Sequence, residues 1–256
     1  MHTVLQVSDT HYFCDPGGLM FGIHSRRSLD QVLDYALNHH APVELVLATG
    51  DLVHDGSAAG YQALKDALER LEVPVHCLPG NHDDPEVMAA VLNGPRVTCN
   101  RSAELADWKI ILLDTRIAGS DGGFLARSEL DFLEREMSSV TNRHVIIVLH
   151  HPPVPIGSPW MDEIGLANAA GFLGMIDRYA QVRAVLFGHI HQEFDRLRRG
   201  VRLLGAPSTC AQFKPHTVVH VDDPLPPGYR WLRLAENGRF ETGVARLAHP
   251  VADDDH

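Results

Sequence analysis

Five times along this chain, a run of β-forming apolar residues stops abruptly at a cluster of aspartate, asparagine or histidine. Residues 3–8 lead to Asp9 and His11, Leu45–Thr49 to Gly50 and Asp51, and 73–78 to Gly80, Asn81, His82 and Asp83. Further on, 143–149 leads to His150 and His151, and Val182–Phe187 to Gly188, His189 and His191. Continuous apolar runs of this length, as opposed to alternating ones, belong to strands buried on both faces. Amphipathic stretches separate the first three. One predicts a helix over 28–39, with Leu29, Val32, Leu33, Ala36 and Leu37 as its stripe, another a helix over 58–71, and Pro85 stands where a third would start. Strand, polar loop and helix in repetition make βαβ units, whose ligands bind at the carboxyl ends of the strands.

The second half changes character. It predicts strands over 108–114 and 143–149, a helix over 128–137, and then short β segments over 193–197, 201–204, 218–221, 229–235 and 239–247. Asn237-Gly238 between the last two is a hairpin signal. An α/β half followed by a β-rich half predicts an α/β fold of two sheets packed face to face with helices outside. No Gly/Ser linker divides the chain, so one domain is expected over 1–247, with a disordered tail over 248–256.

Composition narrows the function classes. A formal net charge of -11 argues against a nucleic-acid or anionic-membrane binder, both of which need basic patches. No apolar run reaches membrane-spanning length, and the N-terminus enters a strand with no room for a signal peptide. Cys14, Cys77, Cys99 and Cys210 are too widely spaced for a zinc knuckle and read as buried fillers, so a reducing compartment, the cytoplasm, is expected.

Each polar cluster alone has an ordinary reading as a helix cap, an Asx-turn or a solvated strand end. All five together, each behind an apolar strand, converge on a metal site. Carboxylate, imidazole and amide donors without a thiolate suit Mn, Fe or Zn. One carboxylate such as Asp51 can bridge two cations about 3.5–4 Å apart. Gly188 is expected to let the backbone turn, and an extended backbone would send His189 and His191 out on one face.

The set Asp9-x-His11, Gly50-Asp51, Gly80-Asn81-His82-Asp83, His150-His151-Pro152 and Gly188-His189-x-His191 resembles the calcineurin-like metallophosphoesterase superfamily. The stretches 8–11, 48–52, 78–82, 188–193 and above all 207–216 are similar to class III cyclic nucleotide phosphodiesterases of the bacterial 3′,5′-cyclic AMP branch. The resemblance implies a four-layer α-β-β-α sandwich of two mixed sheets. It implies two metal ions per chain, Fe or Mn first and Zn also compatible, with Asp9, His11 and His191 on one and Asn81, His150 and His189 on the other. Asp51 would bridge them, and His151 would lie beside the ligands. Substrate would meet His11, Asp51, Asn81, His82 and His191. A metal-bridging hydroxide would open cyclic AMP to 5′-AMP, with Asp51 and Asn81 in the catalytic set and His82 protonating the leaving oxygen.

Relatives often carry an acid three positions after the bridging aspartate; this chain has His54 there, with Asp55 beside it, which leaves the partner of His82 open. Residues 208–210 and 212–216 are the candidate substrate-side stretch, with Phe213 placed to stack on a base and Lys214 to approach phosphate. The loop 157–165 is a candidate wall or lid with Trp160 as a stacking platform. The expected partner is a small cyclic nucleotide, with monomer and dimer both open. Two rivals remain: a glycerophosphodiesterase or broad-specificity phosphodiesterase on the same site, and a non-catalytic metal-binding scaffold.

Overall fold

A computed structural model describes residues 1–249, so the tail expected over 248–256 lies, from residue 250 on, outside the described residues. Its main strands are β1 (His2–Val7), β2 (Leu45–Thr49), β3 (Val75–Leu78), β4 (Val97–Thr98), β5 (Ser102–Leu105) and β6 (Trp108–Leu112). The remainder are β7 (His144–Val148), β8 (Val182–Phe187), β9 (Phe194–Arg198), β10 (Val201–Gly205), β11 (Gly228–Leu234) and β12 (Phe240–Arg246). The helices are α1 (Ser25–His40), α2 (Ala58–Glu69), α3 (Pro85–Val91), α4 (Arg127–Ser139), α5 (Pro159–Asp162) and α6 (Ala169–Ile176).

Two six-stranded mixed sheets result, ordered β12-β11-β1-β2-β3-β4 and β9-β10-β8-β7-β6-β5. In the first, β1 to β4 run parallel and β11 closes antiparallel on β1; in the second, β6, β7, β8 and β10 run parallel. Alternate residues explain the layering. Val4, Leu45 and Leu47 of the first sheet pack against Ile110, Ile146 and Leu186 of the second, forming the layer between the sheets. Their neighbours Leu5, Val46 and Ala48 point the other way, into a cluster completed by Leu29, Val32 and Leu33 of α1 and Leu64 and Leu68 of α2. Ile111, Ile147 and Val185 meet Leu133 of α4 and Phe172 of α6 on the far side. Helix, sheet, sheet, helix is the four-layer α/β sandwich expected from the sequence, and its two-sided burial is why the strands read as unbroken apolar runs.

Local chemistry starts the helices where it can. The Asp84 side chain accepts from the N–H groups of Glu86 and Val87 ahead of Pro85, and Ser57 accepts from Gly60 at the start of α2. Two expectations need correction. Residues 218–221 form no strand: Val218 is 75% exposed and Val219 64%, and the pairing nearby is Gln212–Phe213 with Asp222–Asp223. The loop 157–165 contains the helical turn α5, whose Asp162 carboxylate accepts from the Ile156 and Gly157 N–H groups behind it.

Candidate metal centre

The parallel strands of both sheets end on one edge, and there the polar clusters meet. Asp9, His11, Asp51, His150, His189 and His191 are each at most 5% exposed. Asp9, His11 and Asp51 follow strands of the first sheet, His150 and His189 follow strands of the second, and the centre is therefore a joint property of the two sheets. Thr49 O, at the end of β2, accepts from His150 Nδ1 at 3.0 Å across the sheet boundary. Gln6, fully buried on β1, donates to Thr49 Oγ1 and to Phe187 O of β8, both at 3.1 Å. The His189 N–H lies 3.1 Å from both Asp9 carboxylate oxygens.

Five of the candidate ligands occupy the left-handed backbone region, with φ of 53° at Asp9, 41° at His11, 50° at Asp51, 69° at His189 and 48° at His191. Aspartate and histidine tolerate that region better than branched residues do, and such strain collects at functional sites. It also overturns the expectation that His189 and His191 leave an extended strand on one face. They diverge: the His191 ring lies 5.2 Å from that of His11, the His189 ring 5.1 Å from that of His150. Gly188 is there for closeness, not for turning, because a Cβ would meet Ser8 Oγ at 2.1 Å. Gly80 is similar: its Cβ would stand 2.2 Å from Asp51 Oδ1.

The donor atoms converge as ligands do when a cation belongs among them. The donor atoms of Asp9, His11 and His191 lie within 4.8 Å of one another, and so do those of Asp9, Asp51 and His150. His11 Nε2 and His191 Nε2 approach to 3.3 Å, and His150 Nε2 stands 3.1 Å from Asn81 Oδ1. Asp51 faces both groups, Oδ1 at 3.3 Å from His150 Nε2 and Oδ2 at 3.9 Å from His11 Nε2. His191 Nε2 lies 3.4 Å from Asp9 Oδ1. The far nitrogens are used as metal-binding imidazoles use them: His150 Nδ1 donates to Thr49 O and His191 Nδ1 to Ala211 O at 2.8 Å, which leaves Nε2 free to coordinate. His189 Nε2 is buried with no hydrogen-bond partner. An orphaned buried nitrogen and two buried carboxylates facing imidazoles fit a bound cation.

Protonation follows from burial. Desolvation holds His11 down at about 3 and His189 well below its ordinary value, so both rings are neutral and able to coordinate. Burial pushes the Asp9 and Asp51 carboxyls up, but neighbouring imidazoles outweigh it: His191 brings Asp9 below its usual range, and His150 brings Asp51 well below. Burial pulls His150 down as well, yet the Asp51 carboxylate and its hydrogen bond carry it up to about 9.

The remaining sequence candidates separate clearly. His151 is engaged at both nitrogens, by Thr115 Oγ1 at 2.7 Å and Asp121 O at 3.1 Å, and burial drives it to about 3. His82 is exposed above the centre, its ring 5.0 Å from that of His11 and its N–H donating to Asp51 Oδ1 at 3.0 Å. At the position where the resemblance leads one to expect an acid, the His54 ring stacks on His82 at 5.0 Å and 21°, and its Nδ1 meets His11 Nδ1 at 3.2 Å. Asp55 turns away to the N–H groups of Ser57 and Cys14.

The stretch expected to contact substrate braces the ligands from behind. Ser208 Oγ donates to Asp9 O at 2.7 Å, and Phe213, only 8% exposed, lies face to face on His191 at 4.0 Å and 5°. Lys214 is exposed. Asp83 had no role assigned from sequence, yet it accepts from Leu52, Val53 and Gly80 N–H groups and the Tyr61 hydroxyl, tying the loops that carry Asp51 and Asn81. Burial, then the charge of Asp51, raises its carboxyl to about 6. Gln6 and Thr49 were equally silent, because a polar residue next to a strand carries no signal of what it will hold; Ser208, expected on the substrate side, holds Asp9 O instead.

Above the centre lies a cleft of roughly 450 Å³, floored by His11, Asp51, His189 and His191 and rimmed by Phe21, Trp160 and His220. With that geometry in view, the comparisons are direct. Residues 2–193 match the family model for calcineurin-like phosphoesterases, and the chain belongs to that family. It is 40% identical over 253 residues (99% of this chain, 93% of the relative) to a 3′,5′-cyclic adenosine monophosphate phosphodiesterase, CpdA, of Pseudomonas aeruginosa. It is 37% identical to the enzyme of that name from Escherichia coli, over 96% of this chain and 90% of the relative. A 3′,5′-cyclic-nucleotide phosphodiesterase of Nostoc is 35% identical over 97% of this chain and 94% of the relative. Among solved structures, a dimetal phosphatase of Danio rerio shares the fold, with a TM-score of 0.67 at 16% identity over 96% of this chain and 98% of that one.

Proposed function

We propose that this chain is a two-metal phosphodiesterase that hydrolyses 3′,5′-cyclic AMP to 5′-AMP. The observation that carries the reading is Asp51, whose two oxygens face two separate imidazole groups, as a bridging carboxylate does. The substrate class is supported by relatives 35–40% identical over nearly the whole chain that bear that activity in their names.

In this reading Asp9, His11 and His191 hold one ion and Asn81, His150 and His189 the other, with Mn or Fe the metals and Zn compatible with the same donors. When bound, the ions supply a hydroxide nucleophile at neutral pH and neutralise charge on the phosphate. The protein does the rest. The backbone N–H groups of His82 and His189 hold the Asp51 and Asp9 carboxylates in place. Asn81, on the cleft wall with its Oδ1 toward His150, turns its amide N–H groups to the phosphorus oxygens and stabilises their charge. As the P–O3′ bond breaks, His82 gives the departing oxygen its proton; its exposed ring lines the cleft 5.0 Å from that of His11. We place this activity in one domain over 1–247, since three apolar clusters join both sheets to their helices, and in the cytoplasm, where the buried thiols of Cys77 and Cys210 stay reduced.

The test is hydrolysis by metal-stripped protein reloaded with Mn or Fe, with cyclic AMP beside a glycerophosphodiester and with Asn81→Ala as control. The expected result is metal-dependent release of 5′-AMP that the substitution abolishes. Turnover of the glycerophosphodiester with negligible cyclic AMP cleavage would overturn the substrate while keeping the centre. Metal uptake without turnover of either would mark a scaffold.

A further inference from the structure

Phe21 stands where its backbone does not want it. Leu19–Met20 pairs with Ile23–His24 as a minimal hairpin, Met20 opposite Ile23, so Phe21 and Gly22 form the two-residue turn. Both have positive φ, 49° and 79°, which is the type I′ arrangement. Its first position favours asparagine, aspartate or glycine, and a bulky aromatic there is strained. Burial does not offset that strain, because Phe21 remains 52% exposed.

What the position does provide is a flat apolar face at the mouth of the cleft above the metal centre. The Phe21 ring is stacked with His220 at 5.1 Å and 28°, while Trp160 stands almost perpendicular to His220 at 5.2 Å and 85°. Asp222 fixes His220 from behind at 3.3 Å. Together they make a corner with a flat side and an upright side. Phe213, the aromatic the sequence offered for this purpose, also lines the cleft, but with one face on His191 and only 8% exposure it offers far less open ring than Phe21 at 52%. The cleft volume falls within the range of about 300–1,000 Å³ that small-ligand sites occupy.

We propose that Phe21, with His220 and Trp160, is the platform on which the nucleobase stacks while the phosphate occupies the centre below. The inference rests on the cyclic-nucleotide reading and deepens it. Stacking recognises the plane of a heterocycle, not its edge, so the platform supplies affinity for a base in general.

The experiment compares cyclic AMP with ribose 3′,5′-cyclic phosphate, which lacks the base, on the metal-loaded enzyme. Phe21→Asn is the chosen variant because it suits the turn. Its Tm should equal or exceed that of wild type, while the KM advantage of cyclic AMP over the abasic compound shrinks by about tenfold, the effect of one lost stacking contact. Phe21→Trp should retain the advantage. If Phe21→Asn moves both KM values together, or leaves the advantage intact, the platform is overturned. A wild-type enzyme that leaves both cyclic phosphates intact overturns instead the reading on which the platform rests.

Discussion

The floor and the rim of the cleft are built on opposite principles. On the floor, rings and carboxylates are buried and fixed from behind by hydrogen bonds: His150 by Thr49 O, His191 by Ala211 O and Phe213, Asp9 by the His189 N–H. At the rim, Phe21 and His220 are open to solvent and meet mainly ring to ring. A centre that must place charge to a fraction of an ångström needs the first construction, since small displacements of reacting groups are costly. A surface that receives a flat heterocycle needs only the second.

That contrast is sharpest at Asp51. If Asp51 bridges two ions as proposed, replacing it by asparagine should lower the metal content to at most one and reduce turnover by about 10³-fold or more, the several kcal/mol that metal ions contribute to phosphoryl chemistry. Metal analysis and single-turnover rates on folded protein check it; a variant that keeps two ions and wild-type rate breaks the bridging assignment. Gly80→Ala comes next. Its Cβ would stand 2.2 Å from Asp51 Oδ1, so the loop must shift, and activity should fall by roughly 10²-fold with substrate and metal otherwise unchanged. Ser208→Ala removes the brace on Asp9 O and the acceptor of the Cys210 N–H, and should weaken metal affinity by about 10-fold, the low end for groups that orient ligands.

Acidity acts on the floor through the same groups. Without metal, His150 holds a proton up to about 9, because Asp51 outweighs the burial that pulls it down. Metal must displace that proton, so affinity should rise with pH by about tenfold per unit up to about 9 and flatten above it. Titration calorimetry in buffers of different ionisation enthalpy reads the released proton directly; pH-independent affinity below 9 would contradict His150 as a ligand. The smallest effect belongs to the rim's outskirts. Val218→Ser, at a side chain already in solvent, should change stability by less than about 0.5 kcal/mol and leave metal content alone.

The difference between floor and rim also explains what was legible in the sequence. That Asp9, His11, Asp51, Asn81, His82, His150, His189 and His191 would gather at one edge was legible because scarce residue types stand at the ends of apolar strands, and both signals are printed in the chain. The layering was legible for the same reason, as two-sided burial writes unbroken apolar runs. Short strands such as Val97–Thr98 fall below any periodic signal, and the valines at 218, 219 and 221 mimic a strand while lying in a loop. Aromatic residues carry no mark of whether they face core or cleft: Phe213 lines the cleft while one face packs on His191, and Phe21, which read as loop, is strained into the cleft mouth. Asp83 and Gln6 bind groups far away in sequence, so their roles exist only once the sheets have met.

The hydrogen bonds that run from His150 to Thr49 and from Gln6 to Phe187 have a consequence for how the chain matures. The floor exists only when the edges of the two sheets are in register, so neither half of the chain can hold metal alone in this geometry. On the reading proposed above, metal would bind only after the two sheets have docked. Thermodynamically, whatever cation the centre prefers stabilises the joined state and not its parts. If the centre binds metal as proposed, stripping the ion would lower the stability of the joined sheets as well as the activity.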